Sequence, residues 1–217
     1  MSIRLALFDC DGTLVDGQAG VCNAMDLAFA DAGLPLPDRH LVRRIVGLSL
    51  PQAIRSLAPD ASEAQQAEID LAYRSRFRAS RESGALVEPL YDGMAELVAD
   101  LAGAGWVLGV ATGKSQRGLE HCLATHGLTR HFSTLQTADQ HPSKPHPAMV
   151  HAALAECGAE PETCVMIGDT AFDMAMASAA GVRALGVDWG YHTPSELFEA
   201  GAEAVATSPA HLKELIG

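Results

Sequence analysis

The strongest constraint on the fold is an alternation. Four short apolar runs, "IRLALF" (3–8), "WVLGVA" (106–111), "CVMI" (164–167) and "RALGV" (183–187), are too short for helices and lack the polar alternation of a half-wet strand. They read as strands buried on both faces, the pattern of a parallel sheet. "STLQT" (133–137) and "AEAVA" (202–206) are weaker members of the set. Helical patterns lie between them. Met94, Leu97, Val98 and Leu101 share one face of 94–103, and 147–157 opens at Pro147 and stops at Gly158. Strand–helix alternation in this order predicts an α/β fold, a doubly wound and mostly parallel sheet.

Residues 18 to about 84 break the rhythm. Val21, Met25, Ala28, Phe29 and Ala32 fall on one helical face, "GLPLPD" ends that helix, and apolar positions recur through 41–57 and 66–77 without a convincing strand. The expected organisation is an α/β core from 1–16 and 85–217, interrupted by an all-helical insertion over 17–84. Both crossings run through hinge-like text, "DGQAG" and "ESGALVEP".

In open α/β sheets, ligands bind at the carboxyl ends of the strands. Asp9, Asp11, Gly12 and Thr13 follow the first strand, and Thr112, Gly113 and Lys114 follow the second. Lys144 lies beyond "STLQT", and Asp169 and Asp173 follow "CVMI". Each alone has an ordinary explanation: an Asp-Gly turn, a helix cap, a solvated lysine. Together they fall on one edge of one sheet. Asp9 and Asp11, two apart on an extended chain, are expected on the same face, and Asp169 adds a third carboxylate nearby. Such a cluster is stable around a hard cation with oxygen ligands, and an anionic substrate favours Mg²⁺.

Lys144, Thr112 and the backbone near Gly113 are suited to phosphate oxygens. A carboxylate approaching a phosphoryl group meets a repulsion of roughly 4 kcal/mol at about 4 Å and an effective dielectric near 20. A cation and Lys144 would relieve it. Asp9 could then act as nucleophile, and Asp11 as acid to the leaving oxygen and base to the incoming water.

The formal charge of −12 argues against a nucleic-acid or anionic-membrane partner. Five cysteines without zinc-type spacing suggest reduced thiols in a cytoplasmic setting. No signal region precedes residue 5 and no run is long enough to span a membrane. Oligomeric state is not written in any coiled-coil seam, so monomer and homodimer both stand.

At this point "DCDGT" (9–13), Thr112 in "VATGK", Lys144 in "SKPHP" and "GDTAFD" (168–173) resemble the four motifs of the haloacid dehalogenase-like hydrolases. The resemblance implies a Rossmann-like core and makes the insertion at 17–84 a substrate-selecting cap. It implies Asp9 as nucleophile, Asp11 as acid/base and Thr112 and Lys144 as phosphate binders. Mg²⁺ is then expected on Asp9, Asp169 and the backbone carbonyl of Asp11, with Asp173 orienting metal-bound water or Lys144. Gly12, Thr13, Gly113 and Gly47, the last in the cap-loop-like "VGLSL", complete the expected substrate contacts.

Asp11 argues against dehalogenation, since haloacid dehalogenases lack this second aspartate. β-Phosphoglucomutases share the cap type but carry a His and an Arg where this chain has Val21 and Leu50. The text from "DGTLVDG" through "YDGMAELVADLAGAGWVLGVATGKS" is most similar to the phosphoglycolate phosphatase-like branch. The expectation is a phosphatase of a small phosphorylated metabolite. The alternatives are a phosphomutase, and a non-enzymatic binding protein on the same scaffold. Arg43, Arg44, Arg74, Arg76 and Arg78 are candidate selectors in the cap, whereas His141 and His146 read as parts of an ordered loop.

Overall fold

The computed structural model describes residues 2–217. Its sheet has six strands: β1 (Leu5–Phe8), β2 (Val107–Thr112), β3 (Phe132–Thr137), β4 (Cys164–Gly168), β5 (Arg183–Val187) and β6 (Ala204–Ala206). They lie in the order β3-β2-β1-β4-β5-β6, and every neighbouring pair is parallel. The first strand is therefore central. The chain winds outward through β2 and β3, then returns to the other side of β1 as β4. The crevice where the direction reverses lies between the carboxyl ends of β1 and β4.

Residue alternation divides the core. Leu5 and Leu7 of β1 enter one apolar cluster, with helices α7 (Ala148–Cys157) and α8 (Ala171–Ala180). Ala6 and Phe8 enter the other, with α5 (Met94–Gly103), α6 (Gln116–Thr125) and α10 (Pro209–Ile216). All four β1 residues are fully buried, as a parallel strand covered on both faces requires. Helix α9 (Pro194–Glu199) adds Leu197 to the first cluster. The sheet is the doubly wound α/β architecture that the alternation predicts.

The region between β1 and α5 holds α1 (Gln18–Asp31), α2 (Arg39–Arg44), α3 (Leu50–Leu57) and α4 (Glu63–Glu82), and no named strand. Cys22, Met25, Ala28, Phe29, Val42, Ile54 and Ile69 form its own apolar centre. Helix α4 runs well beyond the apolar pattern at 66–77. Ile69 is its one fully buried residue, so periodicity hardly marks it; a Ser62–Gln65 capping box fixes its start. At the other boundaries the sequence reading holds to within a few residues: α5 spans 94–103 as expected, and Gly158 ends α7 in the left-handed conformation. Among the described residues, no helix is long and apolar enough to cross a membrane.

Gly109 shows how tightly the sheet centre is packed. A Cβ there would collide with Thr134 Cγ2 of β3 and come within 2.6 Å of Leu7 Cδ2 of β1. Gly109→Val should lower unfolding stability by about 1–3 kcal/mol, read as a lower denaturant midpoint at constant slope.

Candidate active site

Three carboxylates meet at the β1/β4 crevice. Asp9 directly follows β1, Asp169 directly follows β4, and Asp173 lies in the first turn of α8. Each offers an oxygen within 4.8 Å of the others, and all three are fully buried. Lys144 reaches the cluster from the loop after β3. Its Nζ lies 2.9 Å from Asp9 Oδ1 and 2.6 Å from Asp173 Oδ1, and its side chain is shut off from solvent.

Hydrogen bonds fix each acid. The Cys10 N–H donates to Asp9 Oδ1 at 2.7 Å. Thr13 Oγ1 donates to Asp169 Oδ1 and the Tyr191 N–H to Asp169 Oδ2, each at 2.9 Å. Thr170 caps α8 in a reciprocal capping box with Asp173, whose Oδ2 accepts from the Thr170 hydroxyl at 2.6 Å.

One oxygen is left over: Asp9 Oδ2 is buried and has no hydrogen-bond partner. Burial, with the nearby Asp173 charge, pushes the Asp9 carboxyl up to about 7 against the pull of Lys144. Burial, then the charges of Asp9 and Asp173, raise Asp169 well above the carboxylate range. Burial works to lower Lys144, but Asp173 and Asp9 outweigh it and hold the ammonium charged. One ammonium against three carboxylates leaves a surplus of negative charge around a free oxygen. The arrangement fits a divalent cation with oxygen ligands.

Asp11 corrects the sequence reading. Its carboxylate does not join the cluster, because β1 ends at Phe8 and the chain turns before residue 11, so two-residue alternation no longer applies. Both oxygens instead accept from Lys114 Nζ, at 2.7 and 2.9 Å, and Lys114 also donates to Glu88 at 2.8 Å. Burial works to lower this ammonium, yet Asp11, Cys10 and Glu88 raise it well above the lysine range. Thr13 likewise has another task from the one expected: its hydroxyl is engaged by Asp169 and its carbonyl by Trp189 Nε1. Gly12 packs against Asp169 and Tyr191, where a Cβ would overlap Asp169.

Asp11, Thr112, Gly113 and Lys114 form one wall of a cavity of about 410 Å³, and the helical insertion forms the other. Gly47 comes down over the acids. It has φ +101°, and a Cβ there would sit 3.8 Å from Asp9 Oδ2. A Cβ on Gly113 would lie 2.5 Å from the carbonyl oxygens of Gly47 and Leu48, so core and insertion meet backbone to backbone. Ser49 N–H to Ser143 Oγ at 2.8 Å and Arg44 to Glu196 at 2.8 Å tie the two together.

The cap arginines separate into groups. Arg44 is paired with Glu196 and, with Arg43, borders a smaller pocket of about 220 Å³; Arg76 is paired with Asp31 at the surface. Only Arg74 and Arg78 of the expected selectors line the large cavity, where Arg81 and Arg117 join them. His141 contacts Gln136 of β3, and His146 accepts from the Ala148 N–H at the start of α7, so both tie their loop to its flanking elements. The Lys114–Glu88 contact escaped the sequence reading because nothing in the text links "VEP" to "TGK".

The sequence profile of the haloacid dehalogenase-like hydrolases matches residues 6–187. The chain belongs to this family. The hydrolase is 35% identical over 217 residues to "Probable phosphatase IndB" of Dickeya dadantii, covering 98% of this chain and 92% of that protein. It is 33% identical to "Tyrosine-protein kinase PtkA" of Mycobacterium tuberculosis, covering 99% of this chain and 72% of that one. It is 29% identical to "Phosphoglycolate phosphatase" of Yersinia pestis, at 99% and 92% coverage. A solved haloacid dehalogenase-like hydrolase from Streptococcus pneumoniae superposes with a TM-score of 0.86 at 27% identity, covering 99% of each chain. The hydrolase is accordingly a phosphoric monoester hydrolase of the phosphoglycolate phosphatase-like branch.

Lys114 is the group whose removal tests the site's electrostatics most directly. Lys114→Met strands two carboxylates in a largely buried pocket and should destabilise the fold by roughly 3–5 kcal/mol near neutral pH, measured by denaturant titration. Retention of wild-type stability there would show that Asp11 and Glu88 do not need their shared cation.

Proposed function

We propose that the hydrolase releases phosphate from a small phosphomonoester in a Mg²⁺-dependent reaction through an aspartyl-phosphate on Asp9. The observation that carries this reading is Asp9 Oδ2, an oxygen with no partner beside Lys144 and under Gly47. A buried acceptor without a donor is a costly thing to retain, and a reacting oxygen has reason to be left free.

Asp9 and Asp169 would hold the cation. With its carboxylate committed to Lys114, Asp11 has its main-chain carbonyl to offer. Bound there, the ion would neutralise phosphoryl oxygens and reduce their repulsion of the nucleophile. In the first half-reaction Asp9 Oδ2 bonds to phosphorus, the ester P–O bond breaks, and Asp11 supplies the proton to the leaving oxygen. In the second, water attacks phosphorus, Asp11 takes its proton, and the bond from Asp9 to phosphorus breaks to release phosphate. Lys114 positions Asp11, holding both of its carboxylate oxygens. Lys144 opposes the rise that burial imposes on Asp9 and offers charge to the phosphoryl group, which Thr112 and the backbone at Gly113 also bind. Thr13 and Asp173 are positioning residues, acting through Asp169 and Lys144.

The insertion at 17–84 serves as the cap and closes over a core formed by 1–16 and 85–217. The direct approach of Gly47 to Gly113 supports this, and the cavity is of a size for a small metabolite. Val21 and Leu50 line that cavity as apolar groups, which favours hydrolysis over the mutase alternative, where a second phosphate must be held. Five free cysteines, four of them buried, suit a reducing cytoplasm.

Asp9→Asn should cut phosphate release by at least about a thousandfold while its far-ultraviolet circular dichroism stays native. Full activity in that variant would end the covalent mechanism. Excess EDTA should abolish turnover and lower the thermal midpoint, and added Mg²⁺ should reverse both, since a ligand of the folded state stabilises it. Undiminished activity in EDTA would remove the cation from the reaction.

A further inference from the structure

The segment that leads back from the insertion into the sheet is folded against its own polarity. Val87 is 65% exposed, while the side chain of Glu88 beside it is 6% exposed, so the apolar residue faces water and the acid faces in. The reaction proposed above does not use Glu88. Its Oε1 accepts from Lys114 Nζ at 2.8 Å, and the two Asp11 oxygens accept from the same nitrogen at 2.7 and 2.9 Å. An ammonium has three N–H donors, and these three carboxylate oxygens lie within their reach.

Asp11 depends on that ammonium for its direction. Among the described residues, Lys114 is the only side chain that donates to the Asp11 carboxylate. A lysine stem is flexible, so its ammonium needs a second anchor to keep one position. Glu88 supplies that anchor from a fixed backbone. Its carbonyl contacts His126 Nε2 at 2.8 Å, the Pro89 carbonyl accepts from the Asp16 N–H at 2.8 Å, and the Tyr91 N–H donates to the Leu14 carbonyl at 3.1 Å. Val15 and Leu90 form an antiparallel bridge among these bonds. The loop that carries Asp11 and the segment that carries Glu88 are thereby tied together. Gly17 makes room for both acids. Its φ of −93° is open to other residues, yet a Cβ there would lie 2.6 Å from Asp11 Oδ1 and 3.4 Å from Glu88 Oε1.

We infer that Glu88 is a positioning residue for proton delivery: by anchoring Lys114 it aims Asp11 at the leaving oxygen. The inference rests on the phosphatase reading above and adds a residue to it. In the step concerned, Asp9 Oδ2 bonds to phosphorus, the ester P–O bond breaks with its electron pair on the leaving oxygen, and the Asp11 proton passes to that oxygen. An acid helps most where the leaving oxygen is basic, as in an alkoxide, and little where it departs as a stable phenolate. Misplacing Asp11 therefore penalises substrates according to their leaving groups, whereas general damage to the fold penalises all of them alike.

The test compares benzyl, phenyl and 4-nitrophenyl phosphate, similar in shape and graded in leaving group, with the whole protein and Mg²⁺. The value of kcat/KM covers the steps through phosphoenzyme formation, in which the leaving group departs. Glu88→Ala should lower kcat/KM for benzyl phosphate by about tenfold more than for 4-nitrophenyl phosphate, with phenyl phosphate between them. Glu88→Gln keeps an acceptor oxygen at the same reach and should regain part of the loss. Gly17→Ala leaves every charge in place but displaces the Asp11 carboxylate, and should give the same order of losses. Should Glu88→Ala not fold, as read by circular dichroism, Glu88→Gln is held to the same ordering with smaller losses. Equal losses on all three substrates, or no loss on benzyl phosphate, overturn the inference and leave the phosphatase reading standing. Wild-type protein that releases phosphate from none of the three sinks that reading, and the inference with it.

Discussion

The structure depends on the bond between Lys144 and the two carboxylates it touches. Folding draws Asp9, Asp169 and Asp173 together at the point where the sheet reverses direction, and all three are closed off from water. Desolvation and mutual repulsion both act against such a cluster. Lys144, itself fully desolvated, is stable only because Asp9 and Asp173 surround it, and those acids tolerate burial partly because it is there. The balance is incomplete by design of the residue set. An oxygen of Asp9 remains free, and acid outnumbers base around it. A site in that condition favours whatever brings positive charge.

Two lysines divide the electrostatic work, and the geometry keeps their tasks separate. Lys144 belongs to the acid cluster, while Lys114 belongs to Asp11 and Glu88 on the β2 side. The turn that follows β1 produces the separation, since it carries Asp11 out of the cluster and toward the cavity. Two aspartates one residue apart thereby acquire opposite environments: Asp9 is raised by burial, and Asp11 is neutralised by an ammonium on both oxygens. Chemistry that asks one carboxylate to attack and the other to exchange protons is served by that difference.

Much of this was legible in the text because it depends on short-range rules. Continuous apolar runs announced buried strands, and the parallel order put their carboxyl ends on one edge, so Asp9, Thr112, Lys144 and Asp169 could be expected near one another. Local turn geometry was not legible. Alternation predicts one face for Asp9 and Asp11 only while the strand continues, and it stops at Phe8. Contacts between segments far apart in order were hidden too. Nothing in the sequence pairs Arg76 with Asp31 rather than with a ligand, or leaves Arg81 unpaired beside Gly118. Arg74, Arg76 and Arg78 were visible as candidates, but on a helix they point in different directions, and only packing decides which reach the cavity.

The same packing supports the division proposed above, with selectivity in the helical insertion and chemistry at the sheet. The sheet edge is held by side-chain hydrogen bonds and by glycine-tight contacts, so its groups have little freedom to vary without loss of the cluster. The insertion has an apolar centre of its own, and its contacts with the core include Gly47 and Leu48 against Gly113, Ser49 on Ser143, and Arg44 on Glu196 and His192. Side chains of α4 that face the cavity are free of those constraints. Changing Arg78 or Arg81 alters what the wall offers a ligand without touching any contact that holds the acids together. A fold arranged in this way can keep one reaction while its choice of substrate drifts, because the residues for each depend on different interactions.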